Sequence, residues 1–181
     1  MNSYIKLKGI LFVAVYLLGA FFYAKSEMLS ASPAPKNSAV TISKVGIKYK
    51  ESKVVYLNSQ LASVTSAFGE PGSVSNERLK PNGKTAKVLQ YGNSKLYFVD
   101  NILKAYEIQD AKMVVGQQNG DLIMVGDHIS SVTSYAPVAT LSKNSLVANI
   151  VTDGGIATNY YIQIDVNPSN SKIKTIRIAS Y

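Results

Sequence analysis

The chain contains no cysteine, no tryptophan, one histidine and only two arginines. Without thiols there is no disulfide and no thiolate zinc site, so a stable fold must rest on its apolar core. A lone His128 also rules out a multi-histidine metal site. Acidic residues are scarce: 11 against 19 basic ones, for a net charge of +8. The lysines are scattered, which reads as a basic solvated surface or as attraction to an acidic partner or anionic envelope. Arg78 and Arg177 alone make a poor nucleic-acid footprint. There is one long apolar run, Gly9 to Ala24.

That run follows Lys6 and Lys8, the charged start and apolar stretch of an export signal. Ala24 and Ser26 put small residues at the positions expected before a cut, so residues 1–26 read as a signal peptide cleaved before Glu27. The alternative is an uncleaved inner-membrane anchor. Sixteen residues span only about 24 Å as a helix, against a bilayer core near 30 Å. No cysteine follows, so lipid attachment there is excluded. Residues 27–39, rich in Ser, Ala and Pro, read as a flexible leader. The product is expected to be exported, periplasmic or secreted.

The remainder reads as one unit written twice, residues 40–110 and 111–181. Residues 44–66 (KVGIKYKESKVVYLNSQLASVTS) align without a gap to 112–134 (KMVVGQQNGDLIMVGDHISSVTS). Ser63-Val64-Thr65-Ser66 equals Ser131-Val132-Thr133-Ser134, and Val54–Leu57 matches Leu122–Val125 apolar for apolar. Each copy begins with a hairpin, 45–49 with 53–57 and 113–117 with 121–125, turned at Glu51-Ser52 and at Asn119-Gly120. A helix follows, capped by Asn58 or Ser59 and by Gly126-Asp127. Leu61, Val64 and Phe68, then Ile129, Val132 and Ala136, form its apolar stripe. Gly69-Glu70-Pro71 and Pro137 stop the helices. Further strands are expected at 73–79, 86–91 and 95–108, and at 146–151, 156–166 and 172–179. Turns are expected at Asn82-Gly83, Asp100-Asn101, Asp153-Gly154-Gly155 and Asn167-Pro168. The expected fold class is α+β: two tandem repeats forming an antiparallel sheet with helices on one face.

A short helix ending in Phe-Gly-Glu-Pro, followed by QYGNSKLYFVDNILKAYEI, resembles the tandem-repeat beta-lactamase-inhibitory-protein fold. It also resembles that fold's relative, the outer-membrane assembly lipoprotein of the small-protein-A type. The likeness covers Leu57–Ile108 best and Val125–Ile178 less closely. It implies a sheet covered by helices and a protein that binds other proteins. The chain departs from the pattern in showing one helix per unit and no lipid-bearing cysteine, and no functional residue is carried over.

No catalytic set emerges. His128 follows Asp127 and precedes Ser130 and Ser131, but residues one to three apart at a helix start do not hold a nucleophile–base–orienter geometry. Glu77, Glu107, Asp153 and Asp165 supply carboxylates that sequence alone cannot pair. No cofactor and no metal is expected.

An antiparallel sheet covered on one side leaves its other face open. Alternation places Tyr160, Ile162, Ile164 and Val166 inward, with Tyr106, Ile108, Ile176 and Ile178. The open face then carries Lys95, Tyr97, Glu107, Tyr161, Gln163, Asp165 and Arg177. Tyr and Arg suit a protein interface. The expected function is a non-enzymatic, exported binding module of the inhibitor or immunity type, whose partner is another protein, such as an enzyme or toxin. The alternative is an envelope assembly factor with peripheral or anchored membrane association. A hydrolase ranks below both.

Overall fold

The computed structural model describes residues 39–79, 83–135, 140–142 and 144–180, with backbone alone for 133–135 and 140–142. The export signal, all of the leader except Ala39, Asn82, Ala136 and the Pro137 stop lie outside these residues. Among the described residues twelve strands are formed: β1 (Ala39–Thr41), β2 (Gly46–Tyr49), β3 (Ser73–Arg78), β4 (Thr85–Tyr91), β5 (Ser94–Val99), β6 (Ile102–Ile108), β7 (Met113–Gly116), β8 (Leu122–Met124), β9 (Thr140–Ser142), β10 (Ser145–Val151), β11 (Ala157–Asn167) and β12 (Lys172–Ser180). The helices are α1 (Leu61–Phe68) and α2 (Ser130–Tyr135), with a 3-10 turn at Ile42–Lys44.

The large sheet runs β1-β10-β11-β12-β6-β5-β4-β3, with β9 also on β10. All its pairs are antiparallel except β1 with β10. The small sheet is β2-β7-β8. The inner face of the large sheet buries Leu96, Phe98, Leu103, Tyr106, Ile162, Ile164, Ile176 and Ile178. It shares one core with Val45, Ile47, Met113, Val115 and Ile123 of the small layer and with Val64, Phe68 and Val132 of the helices. Tyr106 Oη donates to the Val45 carbonyl at 2.9 Å across the two layers. Tyr49, Phe68 and Tyr91 form an aromatic triad with centroids 5.2–6.0 Å apart. Burial and the nearby Glu70 and Tyr49 push the Tyr91 phenol up to about 12.

The expected α+β class, with two tandem repeats and helices on one face, is overturned. The protein is mostly β, with a large mixed sheet. Helices of 8 and 6 residues reach about 12 and 9 Å. Eight strands at about 4.8 Å per step extend about 34 Å, so such helices cannot cover the sheet. A second sheet supplies much of the cover instead. That sheet pairs β2 with β7 over Gly46–Tyr49 and Met113–Gly116, so neither half of the chain closes as its own unit. The first expected hairpin shrinks to one bridge, Ile47 with Val55, whereas the second forms as β7–β8.

Neither expected side-chain cap of α1 forms. Gln60 holds the cap position without a side-chain bond, and Asn58 instead accepts from Lys104 Nζ at 2.8 Å. Asp127 accepts from the Met124 amide rather than from α2. Both helix entries are tied to a distant hairpin by backbone bonds. Leu61 N–H donates to the Asn101 carbonyl, and Ile129 N–H to that of Ser171. Leu103 N–H likewise donates to Ser59, and Ile173 N–H to Asp127.

Candidate functional site

Strand pairing assembles the outer face of the large sheet row by row, because directly paired residues share a face. One row is polar. Gln90 pairs with Lys95, Lys95 with Glu107, Glu107 with Arg177, Arg177 with Gln163, and Gln163 with Val147. Asp165 lies two residues along β11 from Gln163, on the same side. Lys95 Nζ binds Glu77 Oε1 of β3 at 2.8 Å. Arg177 bridges two carboxylates, with Nε 3.2 Å from Glu107 Oε2 and Nη1 2.6 Å from Asp165 Oδ2. Gln109 donates to Glu107, Ser145 donates to Asp165, and Gln163 Nε2 reaches the same Asp165 oxygen at 2.8 Å.

Burial by itself would raise the Asp165 carboxyl. The hydrogen bonds from Ser145 and Gln163, together with Arg177, outweigh it and hold the group below its ordinary value. Burial lowers and Glu107 and Asp165 raise the Arg177 guanidinium, with a net rise. The Glu77 hydrogen bond leads in raising Lys95. These charges are therefore satisfied within the sheet, and Asp165 stays ionised near neutrality, unlike a general acid.

The adjacent row is of another kind. Val88 pairs with Tyr97 and Tyr97 with Ala105, while Tyr161 pairs with Ala179 and Asn149. The β6–β12 seam pairs Glu107 with Arg177 and Tyr106 with Ile178, and Ala105 and Ala179 each lie one residue beyond the end of that ladder. Two tyrosines thus flank two alanines. Three strand steps separate the rings' strands by about 14 Å, with methyl groups as the floor between. Both tyrosines and both alanines are half-buried. Burial, then Glu77, raises the Tyr97 phenol.

All seven residues expected on an open face (Lys95, Tyr97, Glu107, Tyr161, Gln163, Asp165, Arg177) lie on this side of the sheet. Ala105 and Ala179, which complete the trough, carry no sequence signal, because the non-local β6–β12 register makes them neighbours. At one end of the polar row a groove of about 800 Å³ is lined by residues that include Asn144, Asn167, Lys174, Thr175 and Arg177.

The His128 and Asp127 side chains bond to different partners. His128 Nδ1 lies 3.0 Å from Ser130 Oγ, while Asp127 is bonded to the Met124 amide. Among the described residues no group of three His, Asp or Glu side chains could hold a metal ion, and no helix is long and apolar enough to cross a membrane.

No protein-family model and no curated protein matches this chain. Solved structures similar to this chain include two secreted proteins. One is an extracellular protein containing an SCP domain from Bacillus anthracis, at 8% identity and TM-score 0.42 over 68% of this chain and 44% of that one. The other is a cysteine-rich secretory protein from Staphylococcus aureus, at 12% identity and TM-score 0.41 over 78% and 50%. This chain spans about half the length of those proteins or less. Likeness at this level carries no inference about this chain.

Proposed function

We propose that this protein is an exported protein-binding module of the inhibitor or immunity type, which engages its partner through the outer face of the large sheet. The observation that carries the reading is the Tyr97–Ala105–Ala179–Tyr161 row beside an internally ion-paired polar ladder. Tyrosine buries a large area at low entropic cost and keeps a polar end. A shallow floor between two rings accepts a protruding side chain or a flat aromatic edge. The flanking charges are already ion-paired, three carboxylates to two cations, which lowers the cost of docking over them. Export is part of this proposal and rests on the charged and apolar start of the chain.

The test has two arms. Immobilised full-length protein is exposed to envelope and extracellular fractions, and any captured partner is assayed for loss of its own activity. Ala105→Trp fills the trough, and Tyr97→Ala with Tyr161→Ala removes its walls. Both changes should weaken capture at least tenfold. Capture that survives both, or that leaves the partner's activity intact, rejects the reading.

A second reading, an envelope assembly factor held by its N-terminal segment, is favoured by the apolar run Gly9 to Ala24. Mass spectrometry of the protein from its native cell separates the two. A start at Glu27 rejects the anchor, and an intact N-terminus supports it.

A further inference from the structure

The two ends of the large sheet differ. At one, β10 is closed by β1 and β9, each of three residues and placed end to end. Such short edge pieces limit strand addition. At the other, β3 runs unbroken for six residues, and all but Glu77 are exposed, Val74 at 58%. Its sequence SVSNER has no lysine, proline or bulge to blunt it. The side chains on its inner side, Val74, Asn76 and Arg78, are exposed as well, so among the described residues no second layer shields this strand.

The hydrogen-bond pattern specifies what this edge offers. Leu79 N–H donates to the Lys84 carbonyl, and β3 pairs with β4 in the register Arg78 with Thr85 through Ser73 with Gln90. Antiparallel pairs alternate between closely bonded and open. Ser73, Ser75 and Glu77 therefore bond to β4, while Val74, Asn76 and Arg78 turn their backbone N–H and C=O groups outward.

We propose that β3 is a self-association edge, at which two copies of this chain pair antiparallel about a two-fold axis at Asn76. In that register Asn76 faces Asn76 of the second copy, Val74 faces Arg78, and Arg78 faces Val74. All three outward residues are then bonded, by about six hydrogen bonds at two per closely bonded pair. On the outer side Ser75 faces Glu77. No like charges stand directly opposite, and Glu77 is already neutralised by Lys95. The edge is thus complementary to itself, and the joined sheets continue one outer face across the axis. This pairing is independent of what the tyrosine row binds.

Sedimentation velocity on the full chain, at concentrations on the order of 1–100 µM, should show a dimer in equilibrium with monomer. Val74→Lys places a lysine opposite Arg78 and should raise the dissociation constant at least tenfold, with the urea unfolding midpoint of the monomer unchanged. Register is tested with cysteine, since the chain has none of its own. Asn76→Cys sets two thiols on Cα atoms about 5.5 Å apart, within disulfide range, and should cross-link under mild oxidation. Val74→Cys sets them four residues apart along the pairing, about 13 Å, and should not. A monomer throughout, a dimer indifferent to Val74→Lys, or equal cross-linking of the two cysteine variants overturns the proposal.

Discussion

Arg177→Met is the sharpest perturbation of the polar ladder. Methionine keeps an unbranched apolar stem, so packing on the sheet is largely retained, while the guanidinium that bridges Glu107 and Asp165 is lost. The three side chains are 38%, 25% and 22% exposed, between the surface and buried limits. An exposed pair contributes about 0.2–1 kcal/mol and a well-buried charged hydrogen bond about 1.5–3 kcal/mol. Discounting for solvent screening, each contact is worth about 1 kcal/mol and the substitution costs about 2 kcal/mol near pH 7. The sign with pH follows from Asp165. Its folded value lies below the unfolded value of 3.8, so the stabilisation is present above about pH 4 and is lost as pH falls through the depressed folded value. Urea unfolding of both proteins at pH 7, pH 5 and pH 3 should show a gap that persists at pH 5 and is smaller at pH 3. Added salt at 1 M, where the screening length is about 3 Å, should narrow it at pH 7. A gap equal at all three pH values and unmoved by salt would refute the electrostatic account and assign the loss to packing.

Three further outcomes are expected. Tyr106→Phe strips the donor from the buried Val45 carbonyl and should cost about 1–2 kcal/mol in chemical denaturation, with secondary structure unchanged by circular dichroism. Gly92→Ala should cost at least about 1 kcal/mol, because φ is +60° in the β4–β5 turn and an added Cβ would run into the Asp110 carboxylate. Tyr91, raised to about 12 from 10.0, favours the neutral phenol when folded. Its contribution is therefore full below pH 10 and lost as pH rises towards 12. Stability should decline over that window, and less steeply in Tyr91→Phe, a comparison made by unfolding in alkaline buffers.

How far the sequence could be read differs from element to element. The alternation in SKLYFV assigns Leu96 and Phe98 to the core and Lys95 and Tyr97 to the outer face, as the structure has them. A period of two is a local property of an extended backbone, so one strand carries it unaided. Asn119-Gly120 yields the β7–β8 hairpin for the same reason, since the turn holds its own strands. The first hairpin is reduced to the Ile47–Val55 bridge, and along its other edge β2 pairs with β7, 64–70 residues away in sequence: Gly46 opposite Gly116, Ile47 opposite Val115. The helix caps fail similarly, because amides expected to meet Asn58 or Asp127 side chains find the carbonyls of Asn101 and Ser171 instead.

From its residues alone, then, this chain determines most of its strand positions and the alternation of side chains along them, because sterics and burial act within a few residues. Tertiary structure decides which strands meet. It makes a second sheet the cover where a helical layer was expected, and by joining β6 to β12 it places Ala105 and Ala179 between two tyrosines. Among the described residues it also leaves the outer edge of β3 unpaired. Those choices depend on loop closure and on competition among many apolar strands of similar composition, whose energies differ only once all are packed together.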